Sequence, residues 1–473
     1  MEKANHIRGL QKTCRKHHCE ELLNRRDFLK VASVVATATT ATLAGCSPRR
    51  NSTGTLGEVP TDRMTYIDVP SLGDKVSLLG YGCMRWPTIP NPEGRGEIID
   101  QEAVNELIDY AIAHGVNYFD TAPVYVMGQS ERATGIALKR HPREKFFIAT
   151  KLSNHTNPDY DYSLSMYRDS FENLQIDYID YYLLHNIGTL GPRGFESRFL
   201  NNGLLDFLLK ERQTGRIRHL GWSFHGVTEG FDQILALHEQ VHWDFVQIQL
   251  NYSDWKNAST DRNVNADYLY GELSKRNIPI VVMEPLLGGR LSNLPVHIVT
   301  RLKEQNPDGS AASWAFRFAG SFEGVFTVLS GMTYMEHLQD NIRTYSPLAP
   351  LNDEQKDFLY ETAELMLQYP TIPCNDCMYC MPCPYGIDIP GILLHYNKCV
   401  NEGCLPKNSA DANYRKARRA YLISYDRTVE RIRQADHCTG CKQCNDDCPQ
   451  RIDIPFELRK LHDFIEQLKQ NSL

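Results

Sequence analysis

Eight of the chain's 14 cysteines stand in two runs near its C-terminal end, at a spacing suited to iron–sulfur chemistry. The first run reads Cys-x2-Cys-x2-Cys-x2-Cys-Pro, and the second reads Cys-x2-Cys-x2-Cys-x3-Cys-Pro. Three thiolates at this spacing fit around one face of a [4Fe-4S] cluster, and a more distant cysteine before proline supplies a fourth, often to the other cluster. We therefore expect two [4Fe-4S] clusters. The candidate ligands are Cys374, Cys377, Cys380, Cys383, Cys438, Cys441, Cys444 and Cys448.

Zinc is the alternative occupant of these cysteines, because paired Cys-x2-Cys units also build tetrahedral sulfur sites. A zinc site needs only four ligands, however, and does not explain the Cys-Pro that ends both runs. The first run is one residue shorter before its last cysteine, so exchange of that ligand with the other cluster stays open. Cys399 and Cys404, between the runs, are predicted to be buried apolar residues.

Composition places the chain among soluble globular proteins with two or three domains. It has 473 residues, of which 42% are hydrophobic and 23% charged. The formal net charge of -7 gives no basic surface for nucleic acid, so a nucleic-acid partner is not expected. Cysteines gathered in two blocks also differ from those of a small disulfide-stapled secreted domain, which are spread along a shorter chain.

The N-terminal segment resembles an export signal. Arg25 and Arg26 precede a Phe-Leu pair and an apolar stretch of about 14 residues, which is too short to span a bilayer. The following Leu-Ala-Gly-Cys resembles a lipoprotein cleavage box that ends at Cys46. We expect a twin-arginine signal peptide over residues 1–45 and a polar tether over residues 46–61. The alternative is a basic helix start followed by a chance cysteine.

The middle of the chain has the pattern of a (β/α)8 TIM barrel. Eight short β-type runs alternate with amphipathic helical segments, and no Gly-x-Gly-x-x-Gly follows the first run, which disfavours an open doubly wound sheet. We place this α/β barrel at residues 62–350. Beyond it the β-type runs stop, and residues 351–473 are predicted to form a small, mostly helical, ferredoxin-like domain that holds both cysteine runs.

Three motifs at predicted strand ends resemble those of the aldo-keto reductase family: NYFDTAPVY, FFIATK and DYYLLHN. The resemblance implies a catalytic tetrad of Asp120, Tyr125, Lys151 and His185 at the barrel mouth. In this scheme Tyr125 is the general acid and His185 orients the carbonyl. Lys151, paired with Asp120, makes the tyrosine more acidic, because a nearby cation stabilises the phenolate.

The same resemblance implies a nicotinamide cofactor in a modified pocket. Ser223 and Gln247 match the residues that hold the nicotinamide amide, but Phe224 stands where Asn is usual and Met283 where an aromatic residue stacks. No basic residue suited to a 2′-phosphate is evident apart from His337, which favours NADH over NADPH, and a flavin is not excluded. The segment after the eighth strand adds four candidate dinucleotide-binding residues, Gly331, His337, Asp340 and Asn341.

These features together predict an exported, lipid-anchored iron–sulfur oxidoreductase. We expect it to reduce a carbonyl substrate, or to oxidise an alcohol, with electrons relayed through two [4Fe-4S] clusters. The expected partners are a small carbonyl or alcohol compound, a redox protein, and the membrane through the anchor, on the periplasmic or cell-surface side. The alternative is an electron-transfer or binding subunit whose barrel is not an active reductase.

The export signal gives a direct test. Changing Arg25 and Arg26 together to Lys should leave the protein in the cytoplasm, because the paired arginines carry the signal. Cys46→Ala should abolish lipidation without blocking export. Cell fractionation and mass spectrometry of the mature N-terminus measure both effects, and normal membrane anchoring of both variants would rule out this assignment.

Overall fold

The structure, a computed structural model, describes residues 58–94, 96–258 and 263–473. The arginine pair Arg25 and Arg26, the candidate lipidation site Cys46 and most of the predicted tether lie outside these ranges. Within them, no helix is both long and apolar enough to cross a membrane.

Eight parallel strands close into a barrel, as the sequence predicts. Around the barrel the order is β3, β6, β7, β8, β9, β10, β11 and β12, and β12 pairs again with β3. Two antiparallel hairpins, β1 with β2 and β4 with β5, accompany it. The strands are β1 Tyr66–Val69, β2 Asp74–Ser77, β3 Leu79–Gly82, β4 Thr88–Pro90, β5 Glu97–Ile99, β6 Tyr118–Asp120, β7 Phe147–Leu152, β8 Ile179–Ile187, β9 Ile217–Phe224, β10 Phe245–Gln249, β11 Ile280–Met283 and β12 Val325–Ser330.

The barrel strands are buried on both faces, which explains their continuous apolar runs. All nine residues of β8 are buried. Inside the barrel, Tyr181 packs its ring 5.2 Å from that of Phe245 and 5.8 Å from that of Phe326. Val69 and Val76 of the first hairpin join this interior core. The interior is therefore filled with side chains, as in a packed TIM barrel.

Helices cover the outside of the barrel and bury an apolar stripe against the strands. In the first of them, Asp100 caps the N-terminus by accepting a hydrogen bond from the Ala103 amide, and Val104 and Ile108 face the core. The helices of four or more residues in this part are Gln101–Ala113, Ser130–Leu138, Tyr160–Leu174, Gly191–Phe195, the π-helix Glu196–Leu200, Leu204–Gln213, Thr228–Ala236, His238–Val241, Asp254–Asn257, Ala266–Ser274, Val296–Gln305, Ala311–Gly320, Met335–Tyr345 and Asp353–Met366.

The last of these helices belongs to the barrel, although the sequence placed the domain boundary at residue 350. Asn352 forms a capping box with Gln355 at its start. Leu359 and Ala363 are buried in the same core cluster as the barrel strands. The segment with a core of its own therefore begins after Asp353–Met366.

The cysteine-containing segment builds a separate, smaller core from its helices. Cys399 is buried in this core as predicted, whereas Cys404 is only half-buried. The Cys404 thiol donates to the Cys399 carbonyl over 3.6 Å. The helices here are Ile389–Asn401, Tyr414–Thr428, Gln443–Asp446 and Ile454–Gln470.

The repeated Ile-Asp-Ile-Pro sequence starts two equivalent helices. Asp388 accepts a hydrogen bond from the Gly391 amide, and Asp453 accepts one from the Phe456 amide, so each aspartate is an N-cap. A proline stands in the first turn of both helices, where its missing N–H is tolerated. Each cysteine run therefore ends in a turn that leads directly into a capped helix.

Candidate functional site

The C-terminal ends of the barrel strands surround a cavity of about 430 Å³, which lies within the usual range for small-molecule sites. Of the eleven residues that the sequence assigned to catalysis and cofactor binding, ten line this cavity. The remaining residue, Lys151, lies below it and bonds to the lining residue Asp120. The lining residues are Asp120, Tyr125, His185, Ser223, Gln247, Met283, Gly331, His337, Asp340 and Asn341.

Asp120 and Lys151 form a buried ion pair at the ends of β6 and β7. The Lys151 Nζ donates to Asp120 Oδ1 over 2.5 Å and to the Thr121 carbonyl over 2.8 Å. Burial raises the pKa of Asp120 and lowers that of Lys151, and each partner's charge opposes the other's shift. The pair compensates two charges that would each be costly to bury alone.

Tyr125 lies beside this pair, and burial has the largest effect on its pKa. Burial, and then the charge of Asp120, raise the pKa of Tyr125 well above 10. The Lys151 Nζ lies 4.8 Å from the centroid of the Tyr125 ring, over its face. The net direction is therefore upward and is set by burial, and the acidifying effect expected of Lys151 on Tyr125 stays a prediction.

His185 is a neutral imidazole held from two sides. Its Nδ1 pairs with the Ser153 hydroxyl over 2.5 Å, and Arg198 donates to its carbonyl over 2.7 Å. Burial, and then the charge of Lys151, lower the pKa of His185 well below 6.5. If the Ser153 hydroxyl donates a hydrogen bond to Nδ1, the proton of the neutral ring is on Nε2. The Nε2–H group can then donate a hydrogen bond into the cavity.

On the cofactor side of the cavity, Gln247 has an unused acceptor. Its Oε1 is buried and finds no hydrogen-bond partner among the residues that the structure describes, while its Nε2 contacts the Met283 sulfur over 3.4 Å. The Ser223 hydroxyl accepts a hydrogen bond from the backbone N–H of Asn186 over 2.9 Å. A buried acceptor left without a partner is costly, so this side of the cavity fits an amide donor such as a nicotinamide carboxamide.

The departure at Phe224 lies outside the cavity. Its ring packs against those of Trp222 and Phe231, at 6.0 and 5.2 Å between centroids. The next residue, His225, lines the cavity instead, and its buried Nδ1 also lacks a partner within the described residues. His225 therefore provides the polar group next to Ser223, which sequence reasoning missed.

The segment after β12 forms another side of the cavity, with His337 exposed and Asp340 half-buried. Asp340 accepts a hydrogen bond from the Ser310 hydroxyl over 2.7 Å. Asn341 is buried, and its side-chain amide donates to the Ser330 hydroxyl over 3.0 Å. These two predicted residues thus hold the segment against the barrel as well as lining the cavity.

The first cysteine run lies at the barrel mouth, a position that no sequence signal indicated. Besides barrel residues, the cavity is lined by Asn375, Cys377 and Tyr379 from this run and by Pro449 from the second. The backbone contact is close, because a Cβ atom on Gly288 would lie only 1.9 Å from the Asn375 carbonyl oxygen. The cysteine-containing segment therefore forms part of the barrel's own site.

Polar contacts fix this run to the barrel. Arg85 forms an ion pair with Asp376 at 3.1 Å and donates to the Asn375 carbonyl over 2.8 Å. The Asn375 side-chain amide donates to Glu284 over 2.6 Å, and Gln450 from the second run donates to the same carboxylate over 3.3 Å. Burial is the main cause that raises the pKa of Glu284 to about 7.

Each cysteine run contributes its last thiol to the neighbourhood of the other run. Cys374, Cys377, Cys380 and Cys448 line one small cavity in the C-terminal segment. The thiols nearest to Cys444 include those of Cys441, Cys438 and Cys383, and burial is the main cause that raises the pKa of Cys444 to about 12. Among the described residues, no group of three or more His, Cys, Asp or Glu side chains is arranged for a single metal ion.

Comparison with known proteins identifies the barrel. The chain is 31% identical to an L-galactose dehydrogenase of Arabidopsis thaliana over 318 residues, covering 62% of this chain and 92% of that protein. A probable aldo-keto reductase of Glycine max is 30% identical over 197 residues, which cover 40% of this chain and 51% of that protein. The chain thus spans about half the length of the soybean relative.

Solved structures agree on the fold. A thermostable aldo-keto reductase in complex with the inhibitor epalrestat superposes with a TM-score of 0.51 at 24% identity, covering 63% of this chain and 100% of that one. The sequence model of the Aldo/keto reductase family matches residues 78–361, which include every barrel strand from β3 to β12. The chain belongs to the Aldo/keto reductase family, a family of oxidoreductases.

Proposed function

We propose that this protein reduces a small carbonyl compound, or oxidises the corresponding alcohol, with a nicotinamide cofactor at the barrel mouth. The observation that carries the proposal is the shared cavity of Asp120, Tyr125 and His185, with the unpaired Gln247 acceptor on its wall. Gln247, His225 and Ser223 are the groups available to hold the nicotinamide amide. The cofactor would supply the hydride, and the protein side chains would handle the proton and the oxygen.

The side chains of the cavity suit the proton step. Tyr125 is protonated, so it has a proton to give to a developing alkoxide, and the Lys151 ammonium over its ring would stabilise the phenolate that remains. His185 stays neutral, and its Nε2 can donate a hydrogen bond to the same oxygen. Lys151 and Asp120 contribute a fixed, compensated pair of charges beneath them.

Removing the Tyr125 hydroxyl should slow carbonyl reduction by roughly 10²- to 10⁴-fold, the usual contribution of a positioned acid. We would measure the reduction of a series of small aldehydes by Tyr125→Phe, with iron content as a check on folding. Tyr162→Phe is the matched control, because this tyrosine is 41% exposed on the barrel surface. Equal rates in Tyr125→Phe and the native protein would exclude Tyr125 as the acid. A native protein that reduces no carbonyl would favour the alternative of a binding or electron-transfer subunit.

We also propose that the two sets of cysteines hold [4Fe-4S] clusters. One set is Cys374, Cys377, Cys380 and Cys448, and the other is Cys438, Cys441, Cys444 and Cys383. The proposal is supported by the spacing of the runs and by the grouping of four thiols around each position. Clusters of this type transfer single electrons.

Iron and acid-labile sulfide should each reach about eight per chain in anaerobically purified protein. The double variant Cys374→Ser with Cys448→Ser tests the grouping, because both residues would serve one cluster and iron should fall only to about four per chain. If the two cysteines served different clusters, iron would fall towards zero. Cys404→Ser is the control and should keep the full iron content. Stoichiometric zinc without visible absorption would exclude both clusters.

The position of the first cysteine run supports an electron-relay function. Cys377 lines the barrel cavity, whereas Cys441 of the second set is exposed to solvent. We propose that a redox partner protein supplies two electrons, one at a time, which enter at the second cluster and pass through the first to the barrel site. There, together with a proton, they would replace the hydride that the carbonyl takes up. This route suits an exported, lipid-anchored protein on the periplasmic or cell-surface side, where a nicotinamide pool is scarce.

Cys441→Ser separates this relay from a structural use of the clusters. We expect the variant to lose most turnover driven by a reduced viologen, a one-electron donor, while its binding of NADH changes little. Cys404→Ser should retain the native rate. If Cys441→Ser loses a cluster, keeps its fold and turns over with the viologen at the native rate, the clusters are structural.

A further inference from the structure

Tyr379 belongs to the first cysteine run but reaches the catalytic tetrad. Its hydroxyl lies 3.3 Å from His185 Nε2, and the two rings meet edge to face at 6.2 Å. It also lies close enough to Tyr125 for each tyrosine to affect the pKa of the other. The hydroxyl of Tyr379 therefore lies next to both of the groups that face the reacting oxygen.

A bound carbonyl would need the same contacts. In the proposed reaction its oxygen accepts hydrogen bonds from the Tyr125 hydroxyl and from His185 Nε2. Two oxygen atoms cannot share one position between these donors. The Tyr379 hydroxyl must therefore leave before a carbonyl oxygen can be held by both groups.

A movement of the Tyr379 side chain alone would be enough to free this position. Neighbouring backbone in the run is fixed by the Arg85–Asp376 ion pair and by the bond from Asn375 to Glu284. Tyr379 itself is half-buried, and the adjacent Met378 is 51% exposed. A rotation of the tyrosine towards solvent would open the position while the run stays in place.

We propose that Tyr379 is a specificity-determining residue of the barrel site: its hydroxyl holds the position of the substrate oxygen between Tyr125 and His185, and a carbonyl compound binds by displacing it. That the compound taking this position is a carbonyl rests on the proposed function. Compounds with a single oxygen compete directly with the tyrosine hydroxyl, so their binding is weakened by its presence.

Tyr379→Phe keeps the ring and removes the competing hydroxyl. The KM for a small aldehyde such as propanal should fall by roughly two- to ten-fold, as expected from one hydrogen bond, with little change in kcat. Acetate offers an oxygen that accepts the same two bonds without reacting. Its dissociation constant, measured by calorimetry on the full-length protein with NADH present, should fall by a similar factor. Tyr385→Phe, an exposed tyrosine of the same segment, should change neither value.

Unchanged or weaker acetate binding by Tyr379→Phe would overturn the proposal. If this variant loses iron, Tyr379→Leu with native iron content provides the same comparison. The calorimetric measurement needs no turnover, so it separates this inference from the proposed reaction. A native protein that reduces no carbonyl, combined with tighter acetate binding by Tyr379→Phe, would refute the reaction and support the role of Tyr379.

Discussion

The hydrogen bond from Asn375 to Glu284 joins the cysteine-containing segment to the end of β11, and the shape of the site depends on this junction. Such a bond contributes on the order of 0.5–1.5 kcal/mol when Glu284 is protonated and about 1.5–3 kcal/mol when it is ionised. The ion pair of Arg85 with Asp376 and the close approach of Gly288 to the Asn375 carbonyl reinforce it. Without this junction, the first cysteine run would not lie over the barrel cavity.

Burial also sets the protonation states of the side chains that line the cavity. Tyr125 and His185 are both held in their neutral forms because a buried site disfavours charge. The charges that remain beneath them are those of Lys151 and Asp120, which compensate one another. Such a cavity presents hydrogen-bond donors with fixed directions, and this is the property that stabilises a developing oxyanion. Burial thus leaves both groups neutral, and the acidifying effect expected of Lys151 on Tyr125 stays a prediction.

The repeated cysteine runs show how a short sequence pattern builds equivalent local structures with different surroundings. Asp388 and Asp453 cap their helices in the same way, each shortly after a Cys-Pro pair. The first run nevertheless contacts the barrel cavity through Cys377, whereas Cys441 of the second is exposed. Two sites with the same local sequence are thereby placed at different depths, one beside the barrel cavity and one at the surface.

The sequence by itself determined the features that depend on local pattern. Continuous apolar runs separated by amphipathic helical segments specified the eight barrel strands, because a strand buried on both faces needs apolar residues along its whole length. Family motifs at the strand ends located Asp120, Tyr125 and His185, since parallel strands bring their C-terminal ends to one mouth. Covalent spacing within each cysteine run likewise marked the candidate ligands.

Only the tertiary structure decided which distant segments meet. Tyr379 reaches His185 across 194 positions of sequence, and no local pattern records such a contact. The presence of His225 in the cavity, in place of Phe224, follows from which side chain faces inward at the end of β9. The rise in the pKa of Tyr125 depends on the burial of its side chain among segments that are distant in the sequence. These features are consequences of packing between segments, and packing is fixed only when the whole chain has folded.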